Sequence, residues 1–289
     1  MELHVTHFSP SGQRVFPAGS RLERLSAGHS FTEGPVWDPR AQCLYFTDFP
    51  QERIHRWTPE GGAVCWREGA NRAIGLSMDA NGRLVAAESG ARAIALTTPE
   101  GSEPIATAYD GKPFNSPNDV VVTPTGTVYF TDPYSAALNR PHDMGFNGVF
   151  GVEPDGAVWL VTDRMGRPNG LALSPDGGTL YVNDTDESHI LAFALRKRGA
   201  DYTGVFARVP GGYGPGAPDG MKVDVEGNVY VTGSGGLWVF GPDAAPLALL
   251  HTPEFTGNFC FGGQENMTLF LTSSTGVYSA PVGITGIGV

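Results

Sequence analysis

The chain has 289 residues, 40% of them hydrophobic, with Gly 40 and Pro 23. That apolar content supports a sizeable core and excludes a disordered protein, while the Gly and Pro recur at turn positions as in an all-β protein with short loops. A formal charge of −11 and a pI near 5.0 exclude the basic stripe of a nucleic-acid-binding surface, and no apolar run is long enough to span a membrane.

Residues 1–20 open on MELHVTHFSPSG, with no basic segment followed by an apolar run, so they are expected to be an N-terminal extension of a cytoplasmic protein without a secretory leader. Residues 21–28 contain a short strand-like run, RLERLS. Three cysteines, Cys43, Cys65 and Cys260, are odd in number and lack metal-ligand spacing. Buried free thiols in a reducing compartment are expected.

From Glu33 onward one hairpin signature recurs: a residue before Gly or a β-branched run, an apolar strand, a tight turn, a second apolar strand and a polar end. Its copies are EGPVWDPRAQCLYFTD (33–48), IGLSMDANGRLVAAE (74–88), NDVVVTPTGTVYFTD (118–132), NGLALSPDGGTLYVND (169–184), DGMKVDVEGNVYVTG (219–233) and a degraded FGGQENMTLFLTS (261–273). Strand-like runs between them, such as 190–195 and 204–209, supply two further strands per copy. Six in-phase units predict a six-bladed β-propeller of four-stranded antiparallel blades, a single domain over 1–289. Only one strand, near 277–282, follows the last hairpin. The run at 21–26 is therefore predicted to close the last blade and leave no bare edge.

In such a blade the innermost strand starts at one mouth of the central channel. The six residues at that start read Glu33, Ile74, Asn118, Asn169, Asp219 and Phe261, and four carry oxygen donors. Singly, Asn or Asp before Gly is more often a turn former than a ligand. In phase, two carboxylates and two amides converge on one place and predict a hard-oxygen metal site. Ca²⁺ suits such donors best, with Zn²⁺, Mg²⁺ or Mn²⁺ as alternatives, and no organic cofactor is expected. The second strands end at the same face in Asp48, Glu88, Asp132 and Asp184, about half of which are expected to be structural. Asp184 is placed behind Asn169 as its support, and Asp132 against the pocket. The longest insertion, PYSAALNRPHDMGFNG (133–148), offers Tyr134 and His142 to a substrate, and Arg72, Arg167 and Tyr213 lead into first strands as further candidate substrate contacts, with surface salt-bridging the equal alternative for the two arginines.

The runs EGPVWDP, SPNDVVVTPTGTVYFTDP, PNGLALSPDGGTLYV, PDGMKVDVEGNVYV and NFCFGG resemble the motifs of the senescence marker protein/gluconolactonase/luciferin-regenerating-enzyme-like (regucalcin-like) family. The resemblance runs from about Glu33 to Gly263. It implies a propeller with a divalent cation, usually calcium, on the axis, held by Glu33, Asn169 and Asp219, with Asn118 as the polar residue of the third blade. The set also resembles the calcium sites of diisopropyl fluorophosphatase and paraoxonase. Two positions depart from the family pattern and bear on substrate rather than metal: Ser116 stands where sugar lactonases of the regucalcin type carry Arg, and Ala87-Glu88-Ser89 where bacterial gluconolactonases often carry His.

The expected activity is metal-assisted hydrolysis of a small lactone, with Asp219 as general base or carboxylate nucleophile and Asn118 and Ser116 among the substrate contacts. A phosphotriesterase-like hydrolase and a non-catalytic calcium-binding or scaffold propeller are the alternatives. No nucleic-acid or membrane partner is expected, and the oligomeric state is left open.

Overall fold

The computed structural model describes residues 1–288. The hairpin copies become the first two strands of six separate antiparallel sheets. These pairs are Thr32–Asp38 with Cys43–Asp48, Ala73–Met78 with Leu84–Glu88, and Val120–Val122 with Val128–Asp132. Pro168–Leu173 with Thr179–Asp184, Met221–Val223 with Val229–Gly233, and Thr256–Gly262 with Thr268–Ser273 complete the set.

Each sheet is apolar on both faces, so each must be covered twice. The core accordingly divides into six clusters, each shared by two consecutive sheets. Ile54 of the first sheet packs with Leu76 of the second, for example, and Val149 of the third with Leu180 of the fourth. The sixth and first sheets share Trp37, Phe46, Phe270 and Val277, with Trp37 and Phe270 stacked at 5.0 Å. That last cluster closes the ring: a six-bladed β-propeller.

The closing strand is Glu23–Ala27, which pairs with Gly276–Pro281 (Arg24 opposite Tyr278, Ala27 opposite Gly276) as the outer edge of the sixth blade. Ahead of it, His4–His7 adds a fifth strand to the fifth blade, with His4 opposite His251. Val15 and Phe16 are buried in the cluster between blades five and six. Residues 1–20 are thus woven into the ring, which their polar, irregular sequence did not announce.

Two expectations need correction. The sixth hairpin begins at Thr256, not Phe261, because Gly262 ends the inner strand and Gln264–Asn266 forms the hairpin turn itself. The Phe-Gly-Gly run imitated the start of a copy. Of the cysteines, Cys43 and Cys260 are buried but Cys65 is exposed, lying on the outermost strand Gly62–Glu68 of its blade. Among the described residues no helix is long and apolar enough to cross a membrane.

Candidate metal centre

Matching the pairing registers of the six blades aligns Val36, Ser77, Val121, Ala172, Lys222 and Cys260, one per blade. All six line one cavity of about 510 Å³ along the axis. Three residues earlier on each inner strand stand Glu33, Ile74, Asn118, Asn169, Asp219 and, in place of the expected Phe261, Gly257. Phe261 lies instead against Tyr230, 5.1 Å between rings, in the cluster between blades five and six.

These positions meet around the axis through their backbones. Gly75 N–H donates to the Asn118 carbonyl at 2.7 Å, Gly170 N–H to the Asp219 carbonyl at 3.0 Å, and Gly220 N–H to the Gly257 carbonyl at 2.7 Å. Side chains of the second strands brace carbonyls of the same six positions: Thr47 Oγ1 donates to Ile74 O at 3.0 Å, Thr232 Oγ1 to Gly257 O at 3.1 Å, and Asn183 Nδ2 to Asp219 O. The glycine after the aligned residue is a packing requirement. A Cβ at Gly170 would fall 2.0 Å from the Asp219 carbonyl oxygen, and one at Gly34, whose φ is +49°, 1.9 Å from that of Ile74. A Cβ at Gly257 would sit 2.2 Å from Glu33 Oε1, which brings blade six against blade one.

In blades three and six that glycine is replaced by Asp119 and Asn258, both 2% exposed. Asp119 Oδ1 accepts the Val120 N–H at 2.9 Å, while Oδ2 is buried without a hydrogen bond and lies 3.9 Å from Lys222 Nζ. Lys222 Nζ also donates to the Met221 carbonyl at 3.0 Å and to Asn258 Oδ1 at 3.5 Å. None of the three was singled out from sequence. Lys222 interrupts the apolar run of its strand and Asp119 follows a polar residue directly, so both left a trace; Asn258 was hidden by the misplaced sixth copy.

The charges are crowded. Burial pushes the Glu33 carboxyl up to about 7, the Gly34 N–H at 2.7 Å opposing this and the nearby Asp119 adding to it. Asp219 is raised well above the ordinary carboxylate range by burial, with Glu33 and Asp119 adding to the effect. Asn169 donates its Nδ2 to Thr185 Oγ1 at 3.2 Å, leaving its Oδ1 buried and unpartnered. Asn118 is half-buried, its N–H donating to Thr131 O at 2.9 Å. Two carboxylates short of positive charge and a buried amide oxygen short of a donor suit a hard divalent cation, which takes six to eight oxygen ligands of irregular geometry.

Three of the second-strand aspartates share one task. Asp48 accepts the N–H groups of Ser30 and Phe31, Asp132 those of Asn115 and Ser116, and Asp184 those of Gly166 and Arg167. The donors stand three and two residues before Glu33, Asn118 and Asn169 respectively, so each aspartate holds the loop that delivers one of these residues. Asp132 is fully buried with both oxygens so engaged. Ser116 is buried beside it, its Oγ donating to the Pro133 carbonyl. Tyr134 and His142 stack at 4.4 Å in the long insertion, with His142 exposed, and Arg140 of the same loop donates to the Ser89 carbonyl at 3.0 Å. Arg167 forms an exposed ion pair with Asp186 at 2.8 Å, and Tyr213 packs edge-on against Trp238 at 4.9 Å.

The model of the SMP-30/Gluconolactonase/LRE-like region matches residues 31–275 of the chain. Gluconolactonase of Zymomonas mobilis is 32% identical over 94% of this chain and 84% of its own length. Among solved structures, a gluconolactonase from Xanthomonas campestris superposes with a TM-score of 0.87 at 31% identity, covering 98% of this chain and 95% of that one. A calcium-binding protein, regucalcin, from Agrobacterium tumefaciens shares the fold at 20% identity with a TM-score of 0.79, covering 93% of this chain and 96% of that one.

Proposed function

The chain belongs to the SMP-30/gluconolactonase/LRE-like family, and we propose that it is a lactonase that opens a sugar or related lactone at a divalent-cation site in the mouth of its channel. The observation that carries the metal reading is the meeting of Glu33, Asn118, Asn169 and Asp219 around one axis, with the Asn169 Oδ1 buried and unpartnered. These four residues would hold the ion, and calcium best matches their all-oxygen chemistry. When bound, the ion supplies Lewis-acid stabilisation of the oxyanion that develops as the ester carbonyl is attacked.

The protein's own groups do the rest. Asp219 is half-buried at the axis, and we assign it the proton of the attacking water. Asn169 and Asn118 orient the reacting group, Asp184 holds the loop that carries Asn169, and Asp132 holds the loop that carries Asn118 and Ser116. Tyr134 and His142 are the insertion residues we place against the lactone hydroxyls, since the insertion is a long loop on a rigid scaffold.

A panel of aldonolactones assayed with calcium, after chelation and after calcium is restored tests the reading. Turnover lost with chelator, regained with calcium, and lost by at least 100-fold in Asp219→Asn is the expected result. Full turnover by the chelated protein would remove the ion from the mechanism, and inactivity toward every lactone would remove the assignment.

A further inference from the structure

We propose that His29, Asp48 and His55 form a second cation site, for an ion of the zinc class, at the seam where the propeller ring closes. One ligand atom from each lies within 4.8 Å of the other two. His29 Nδ1 is 3.8 Å from Asp48 Oδ2, with the two side chains only 9% and 4% exposed, and His55 Nε2 is buried without a hydrogen-bond partner. His29 Nε2 is already paired with Ser26 Oγ at 2.7 Å, which leaves Nδ1 as the ligating nitrogen. Asp48 is held by the backbone of Ser30 and Phe31, so the anionic ligand is fixed before any ion arrives.

Comparison between blades marks these histidines as unusual. In blade three the equivalent positions form a cluster of three phenylalanines: Phe114 edge-on to Phe130 at 4.9 Å, and Phe130 stacked with Phe150 at 5.5 Å. Blade one repeats that arrangement with His29 edge-on to Phe46 at 5.2 Å and Phe46 stacked with His55 at 5.1 Å. In each blade a second-strand aspartate, Asp132 or Asp48, holds the loop beside the rings. Packing therefore asks only for rings at these places. Two imidazoles in place of two phenyl rings add buried nitrogens that require a partner, and Asp48 alone leaves His55 Nε2 without one. A neutral imidazole carries one lone pair in its ring plane, and at His29 and His55 that lone pair is available to a metal.

Two imidazole nitrogens and a carboxylate are borderline ligands, unlike the all-oxygen axial set. They select Zn²⁺ or Co²⁺ over Ca²⁺ and leave a fourth tetrahedral position for water. Bonds of about 2.0–2.1 Å bring ligand atoms to roughly 3.3 Å apart, a contraction that small side-chain rotations supply. The site shares no residue with the axial one. His29 N–H donates to the Thr275 carbonyl of blade six at 3.2 Å, and Ser26 lies in the closing strand, so an ion here would staple blade one to the closure.

The test uses calcium-saturated protein titrated with Zn²⁺ by calorimetry and with Co²⁺ by visible absorption. The control is the double variant His29→Phe/His55→Phe, which reproduces the ring packing of blade three. One further equivalent with tetrahedral Co²⁺ bands is expected in the wild type and none in the double variant, which keeps its calcium-supported lactonase activity. Zinc at about 100 times its dissociation constant should raise wild-type melting by roughly 4 °C and leave the variant unmoved. No uptake by the calcium-saturated wild type, or equal uptake by the double variant, would overturn the site.

Discussion

Asn169 illustrates how a single side chain acquires a role. Its Nδ2 is spent on Thr185, so only its buried Oδ1 is left facing a deficit. Asn169→Ala removes that oxygen with little loss of packing. Calcium affinity should fall at least tenfold, about 1.4 kcal/mol, while melting in chelator stays near wild type; calorimetric titration and a melt check both halves. Asp132 makes a different kind of prediction. Burial outweighs its two backbone donors and pushes its carboxyl up to about 7, from an ordinary 3.8. The folded chain then binds that proton more tightly than the unfolded chain, so this group's contribution is greatest at low pH and is lost as pH rises toward 7. Asp132→Asn does not titrate and strands one N–H, costing about 1–3 kcal/mol. Urea midpoints should show a wild-type advantage larger at pH 4.5 than at pH 7.5, and a pH-independent advantage would contradict the raised carboxyl.

At the scale of the element, the inner strand and the glycine at its start decide the site. Gly170 lies so close to the next blade that a Cβ would meet the Asp219 carbonyl oxygen at 2.0 Å and the backbone nitrogen of Met221 at 2.8 Å. Gly170→Ala is expected to cost 1–3 kcal/mol as an overpacking substitution and to weaken calcium binding with it, because Asp219 must move; thermal melts and a calcium titration read the two together. The hairpin copies were legible because turn residues and alternation are local properties, and Glu33, Asn118, Asn169 and Asp219 were legible because they share one phase of that repeat. Asn258 was not, since the sixth copy has lost its turn signature and a register can slip by several residues without offending an apolar pattern. The loop-anchoring task common to Asp48, Asp132 and Asp184 was only half visible, because their partners are backbone N–H groups that leave no residue signature.

At the scale of the molecule, the ring depends on its first residues. Glu23–Ala27 covers the edge of blade six, His4–His7 that of blade five, and Val15 and Phe16 fill the core between them. Removing residues 1–28 would bare two strand edges and part of one inter-blade cluster, so the truncated chain should melt well below the full chain and aggregate on heating. Unchanged melting would refute the closure. The sequence by itself determined the number of blades, the hairpin repeat and four oxygen donors in phase, because each is written in neighbours along the chain. Only the tertiary structure decided that Asp119, Lys222 and Asn258 stand beside those donors, and that His29 and His55 share Asp48. Those contacts join residues from different blades or different strands. Their distances follow from how six twisted sheets close on one another, which no local pattern encodes.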